Sequence, residues 1–224
     1  IELHHTKHTN IIWNPSYIFF MGMASSLCTK SSMTQKQEPT IDSIDNVGTT
    51  KWLALKTINY TDAKGVKRKW DVATRTTKQG KDKSDAVVII PILKSSKSNI
   101  LDTILVSQFR PPMGLTTVGF PAGLVDANET AAVAAVREMR EETGYFGTAD
   151  EDLQSMLLCM SPGLTDEAIQ IIAVNVDLDD PRNVNPDQML DDGEDIELTR
   201  VPLLKGLKKM LDEKSNEMPI AMLY

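Results

Sequence analysis

The chain is poor in the residues that make covalent or metal frameworks. It has two cysteines, Cys28 and Cys159, and three histidines, His4, His5 and His8. A pair of cysteines builds no disulfide framework and suits a reducing compartment. The histidines crowd into one N-terminal stretch with nothing nearby to orient them, so they read as solvated tail residues. No apolar run is long enough to span a bilayer; the longest occupies residues 17–23. No arginine precedes Arg68, which argues against an Arg-rich transit peptide. Positive charge is also in deficit. The formal net charge of −7 argues against a nucleic-acid polyanion as the main partner.

What is present suffices for a core: 41% of the 224 residues are apolar, enough for one domain with a small appendage. Residues 1–45 lack any period and read as a mobile tail. Residues 52–60 and 66–77 read as two strands around a turn at 61–65, a hairpin that with its charged linker fills 46–85. The remainder, 86–224, reads as one α/β domain. Its expected strands are 86–93, 100–109, 153–160, 168–176 and 196–201. A basic amphipathic helix is expected at 203–212, and a long polar loop at 178–192. Strands outnumber helices, which predicts an α/β sandwich on a mixed sheet.

One stretch, 123–145, organises the rest. Asn128 can cap a helix with Glu129 in its first turn, and Gly144 can end it in the left-handed conformation. Ala132, Val136 and Met139 form an apolar stripe at helical spacing. Glu138, Glu141 and Glu142 fall within one arc of about 100°. Such carboxylates repel one another. They are either a solvated face, with Arg137 paired to Glu141, or ligands gathered for a hard divalent cation.

Spacing favours the cation. Gly123, Glu129, Arg137, Glu138, Met139, Glu141, Glu142 and Gly144 occupy, without insertion, the positions of the Nudix box, G-x5-E-x7-R-E-U-x-E-E-x-G-U, where U is aliphatic. Tyr145 replaces the last aliphatic residue. The chain therefore resembles the Nudix hydrolase superfamily. Further stretches resemble its ADP-ribose pyrophosphatase branch: KWDVATR at 69–75, QFRPPMG at 108–114, FPAGL at 120–124, MSPGL at 160–164 and DGE at 192–194. Two departures stand out. Gly119 replaces the acidic residue usual before F-P-A-G, and Ser161 replaces the aspartate of Met-Asp-Pro-Gly-Leu.

The resemblance implies a Nudix α/β/α sandwich with an N-terminal hairpin used for dimerisation. It implies hydrolysis of ADP-ribose to AMP and ribose 5-phosphate, with Mg²⁺ as cofactor and Mn²⁺ as the alternative ion. Glu138, Glu142 and the carbonyl of Ala122 would be metal ligands. Glu141 would add a further ligand or orient water, and Arg137 would hold the glutamates in place. Glu194 matches the family's general base, although its acidic surroundings also suit a solvated loop. Trp52 and Trp70 would clamp adenine from different subunits of a homodimer; the plainer reading puts both in a core. Arg75 and Arg110 would bind the diphosphate, or else form surface ion pairs. Asp71 would help bind the nucleotide, and Leu124 would line the sugar end. The partner is then a small molecule, with no nucleic acid and no membrane. A cytoplasmic location follows, with nuclear or mitochondrial placement as alternatives. Other ADP-sugars or oxidised nucleoside diphosphates are rival substrates. A sensor that binds without cleaving is a rival function, disfavoured because every glutamate of the box is present.

Overall fold

The computed structural model describes residues 37–213 and 216–223. The expectations for the histidines, for Cys28 and for the apolar run at 17–23 lie outside the described residues. Three antiparallel strands come first, β1 (Thr40–Thr49), β2 (Leu53–Thr61) and β3 (Lys67–Arg75), in the order β1-β2-β3. Strands β2 and β3 are the expected hairpin. Its turn closes through Gly65, at φ 77°, and through Asp62, whose carboxylate accepts the backbone N–H groups of Lys64 and Val66.

The hairpin acquires a third strand that the sequence hides. Residues 40–45 were expected in the tail but form the first half of β1. Its apolar residues, Ile41, Ile44 and Val47, recur every three positions and so match no strand period. The cause is two irregularities in the β1–β2 ladder, at Ile41/Ser43 and Asn46/Gly48, which reset the alternation. All ten residues of β1 are exposed.

The rest builds a nine-stranded mixed sheet. Strands β4 (Ala86–Lys94), β5 (Asp102–Arg110), β6 (Leu115–Gly119) and β7 (Ala122–Leu124) lead into helix α1 (Ala131–Thr143). Strands β8 (Thr148–Gln154), β9 (Leu158–Cys159), β10 (Ala168–Asp177) and β11 (Ile196–Pro202) follow, then helix α2 (Gly206–Glu213) and strand β12 (Met218–Pro219). The main path runs β12-β6-β5-β4-β10-β8, with β11 on β5, β7 on β4 and β9 on β10. The apolar run of β4 is buried because β10 lies parallel to it, from Ile169↔Ala86 to Asp177↔Lys94. The single strand expected at 153–160 is instead two, β8 and β9. Between them Ser155 turns in, its Oγ accepting the Ile171 N–H, where the β8–β10 ladder shifts register.

Two clusters show where the helices sit. Ile104 packs with Ala134, Ala135 and Met139 of α1, whereas its neighbour Leu105 packs with Met210 of α2. Adjacent strand residues face opposite sides of a sheet, so α1 and α2 cover opposite faces. This is the expected sandwich.

Candidate active site

Strand β7 holds the Ala122–Gly123–Leu124 backbone against β4, with Val88 opposite Ala122 and Ala86 opposite Leu124. The chain then turns through Asp126 to Glu129 into α1. Asn128 is not the cap. It lies in the left-handed region at φ 70° within the turn, and Thr130 caps α1, its side chain accepting the Val133 N–H. Glu129 therefore precedes the helix. Gly144 does end it, left-handed at φ 75°.

The buried face of α1 is rotated from the expected one. Ala134, Ala135, Met139, Glu142 and Thr143 are buried, while Ala132 and Val136 line an open groove. The small side chains at 134 and 135 bring the helix close to the sheet, and this carries Glu138 and Glu142 inward with them. Glu142 is only 5% exposed, and one of its oxygens accepts the Ala122 N–H at 3.1 Å. Gly123 makes room for Glu138: a Cβ there would stand 1.9 Å from the Glu138 carboxyl carbon.

Arg137 ties the cluster together. It donates through Nε and Nη2 to the two oxygens of Glu129, through Nη2 to the Leu124 carbonyl, and through Nη1 to Glu138 and Glu141. These bonds, led by those to Glu129, raise its pKa; Arg137 in turn lowers that of Glu129. Burial pushes Glu138 up. Burial also pushes Glu142 up to about 8, with the nearby charges of Glu138 and Glu194 adding to it and Arg110 opposing it. The charges of Glu194 and Arg110, from distant parts of the chain, thus both act on the same carboxylate. Glu194 sits in a tight turn after Asp191, whose backbone N–H it accepts at 3.2 Å. Among the described residues, no three His, Cys, Asp or Glu side chains are already drawn together as a metal cage. The carboxylates are turned instead to Arg137 and the Ala122 amide.

The cluster predicts a pH effect. Glu142 has its carboxyl pKa raised above the ordinary 4.5 to about 8. The native state then holds a proton that the unfolded chain has released. The contribution of Glu142 to the stability of the metal-free protein is therefore full below about pH 4.5 and is lost as pH rises toward 8. Thermal unfolding in chelator should show a Tm drop across this window, and Glu142→Gln should flatten it. An equal drop in the variant would assign the effect elsewhere.

Of the other expected site residues, Trp70, Asp71 and Arg75 lie on β3, Trp52 just before β2, and Leu124 on β7. Trp52 and Trp70 are 56% and 49% exposed, so neither is core. Trp70 donates to the Gly163 carbonyl, and Lys51 stacks over Trp52. Asp71 accepts the Thr57 hydroxyl at 2.6 Å. Arg75 pairs with Glu167, a residue that no motif pointed to. Leu124 is half-buried on β7. The loop at 178–192 is also more ordered than its composition suggested. Gln188 donates to the carbonyls of Glu142 and Ile196, and Met189 N–H donates to the Glu141 carbonyl. It caps the exit of α1 and leads into the Glu194 turn.

A carboxylate-lined helix on a mixed sheet, entered from a glycine strand and held by one arginine, is where the residues of the Nudix box come together. Residues 82–218 match the NUDIX domain family model, and the chain belongs to that family: it is a Nudix hydrolase. It is 41% identical over 167 residues to an uncharacterized Nudix hydrolase of Schizosaccharomyces pombe, covering 74% of this chain and 79% of that one. It is 40% identical over 152 residues to an ADP-sugar pyrophosphatase of Mus musculus, covering 68% of each. It is 39% identical over 161 residues to an ADP-ribose pyrophosphatase of Saccharomyces cerevisiae, covering 72% and 68%. A crystal structure of an ADP compounds hydrolase superposes with a TM-score of 0.56 at 19% identity, covering 80% of this chain and 85% of that one, and shares the fold.

Proposed function

We propose that this chain hydrolyses the diphosphate of ADP-ribose to AMP and ribose 5-phosphate, with Mg²⁺ as cofactor. The observation that carries this reading is the inward pair Glu138 and Glu142, electrostatically coupled to Glu194 from another loop. The names borne by the mouse and yeast relatives support the substrate. The donor set fits a hard cation: clustered, largely buried acidic oxygens whose mutual repulsion a bound cation would relieve. Glu138, Glu142 and the Ala122 carbonyl would hold the ion, with Glu141 as a further ligand and Mn²⁺ as an alternative metal. A cation bound there would neutralise the diphosphate charge and polarise the phosphoryl group.

The chain's own groups supply the rest. Glu194 takes the proton of the attacking water. Arg110, whose charge acts on Glu142, and Arg75 bind phosphate oxygens. Arg137 fixes the glutamates and does no chemistry itself. Asp71 contacts the nucleotide, and Leu124 lines the sugar end. An exposed free thiol at Cys159 is consistent with a reducing, cytoplasmic setting. Among the described residues, no helix is long and apolar enough to cross a membrane. Incubation with Mg²⁺ and a panel of ADP-sugars and oxidised nucleoside diphosphates, with products identified by mass, tests the reading. AMP and ribose 5-phosphate as the preferred products are expected; preference for another substrate would overturn it.

A homodimer belongs to the same reading. Trp52 accepts the Thr76 N–H through its carbonyl, while Trp70 lies opposite Ile58. Five residues lie between Trp70 and Thr76, and the six steps along the chain span about 20 Å at the usual rise. That separation favours a clamp built from the rings of two protomers over one built within a single protomer. The three-stranded sheet also exposes Ile41, Ile44, Val47, Leu53 and Leu55, apolar surface of the kind that marks an interaction site. Mixing Trp52→Ala with Trp70→Ala protein under exchange should restore part of the activity that each lacks. In a mixed dimer one site keeps both rings. Heterodimers that form without activity would disprove the shared clamp.

A further inference from the structure

Arg75 ends β3 in an unusual attachment. Its Nε donates to Glu167 Oε1 at 2.6 Å, and neither terminal amino group donates a hydrogen bond among the described residues. Both side chains are partly shielded, at 34% and 22% exposure. A guanidinium held only by Nε keeps its two terminal amino groups as a forward-facing fork, the geometry that fits two phosphate oxygens.

Glu167 is itself held still. It begins at the end of a loop bolted to β3 at successive points: Gly163 accepts the Trp70 indole, Leu164 accepts the Ala73 N–H, and Ala73 bridges Thr165. Lys78 then spans from the Asp166 carbonyl to the buried carboxylate of Asp85, which also accepts the Ala168 N–H. Asp85 in turn accepts the Val125 N–H through its carbonyl, so this loop, β3 and the outlet of β7 share one end of the molecule.

We propose that Glu167 is a positioning residue for the diphosphate, pinning Arg75 by its Nε so that the free fork is preset for phosphate. This rests on the reading of Arg75 as a phosphate contact. A free arginine side chain samples many rotamers, and fixing it before substrate arrives lowers the ordering cost of binding. A simple charge argument predicts the opposite sign: deleting a carboxylate beside a cationic site strengthens anion binding. The two effects are therefore separable by direction.

The experiment measures KM and kcat for ADP-ribose in Glu167→Ala, Glu167→Gln, Arg75→Ala and the Glu167→Ala/Arg75→Ala double variant. Glu167→Ala should raise KM about tenfold, equivalent to about 1.4 kcal/mol, with kcat changed less than about twofold. Glu167→Gln, whose amide oxygen still accepts from Nε, should raise KM less than about threefold. In the Arg75→Ala background, Glu167→Ala should add nothing. An unchanged or lowered KM in Glu167→Ala would overturn the proposal, as would an equal rise without Arg75, since that marks mere loop damage. Should Arg75→Ala leave KM unaltered, the phosphate reading of Arg75 itself fails; a raised KM there with a normal Glu167→Ala leaves that reading standing and removes only the positioning role.

Discussion

Glu142→Gln is expected to lower turnover at least about 10³-fold while ADP-ribose binding stays measurable. On the proposed reading, the substitution keeps the shape of the side chain and deletes one charged oxygen donor from the cation's cage. A lost ligand of this kind raises the barrier by several kcal/mol, hence the size of the effect. Misfolding cannot mimic it. Glu142 is 5% exposed and its ionised form is disfavoured by burial, so the neutral amide should hold or raise Tm above pH 8. The Ala122 N–H keeps its acceptor in the amide oxygen. Single-turnover rates at saturating Mg²⁺, with substrate affinity by calorimetry, provide the check. Wild-type turnover in a folded variant would remove Glu142 from the metal set.

The second large effect is expected at Glu194, where glutamine should cut kcat by about 10² with little change in KM. Its carboxylate is close enough to raise the pKa of both Glu138 and Glu142, although it comes from a loop beyond β10. A general base is lost only in the transition state, so the penalty falls on kcat. The pH–rate profile should also lose the limb that reports the base. A solvated loop charge would instead change the rate less than about threefold and leave the profile intact. That result would move the assignment to Glu141, which lies on α1 beside the other two glutamates and pairs with Arg137.

What the sequence showed and hid divides along physical lines. The box was legible because its contacts are local: Arg137 reaches Glu129, Glu138 and Glu141 within a dozen residues, so fixed spacing encodes them. The buried runs of β4, β5 and β10 were legible for their apolar density. The phase of α1 was misjudged because two of its inward residues are glutamates, which a hydrophobic stripe cannot reveal. Strand β1 escaped because irregular pairing broke its alternation, and Thr130 outcompeted Asn128 as cap because the turn required Asn128 at positive φ. The pairing of Arg75 with Glu167 joins residues 92 apart in the chain. Nothing in either neighbourhood announces it.

The parallel ladder between β4 and β10 also governs how the molecule comes to exist. It brings Ala86 against Ile169, and β11 brings Ile196 against Gln108. Each pairing must close a loop of more than eighty residues before its first contact is gained. High contact order of this kind slows folding, and local units form ahead of it. Helix α1 and its arginine–glutamate network can therefore assemble early, while β11 and the Glu194 turn before it arrive late. A refolding chain should regain helix signal before it regains turnover, and its incomplete sheet should be most open to aggregation in the interval between.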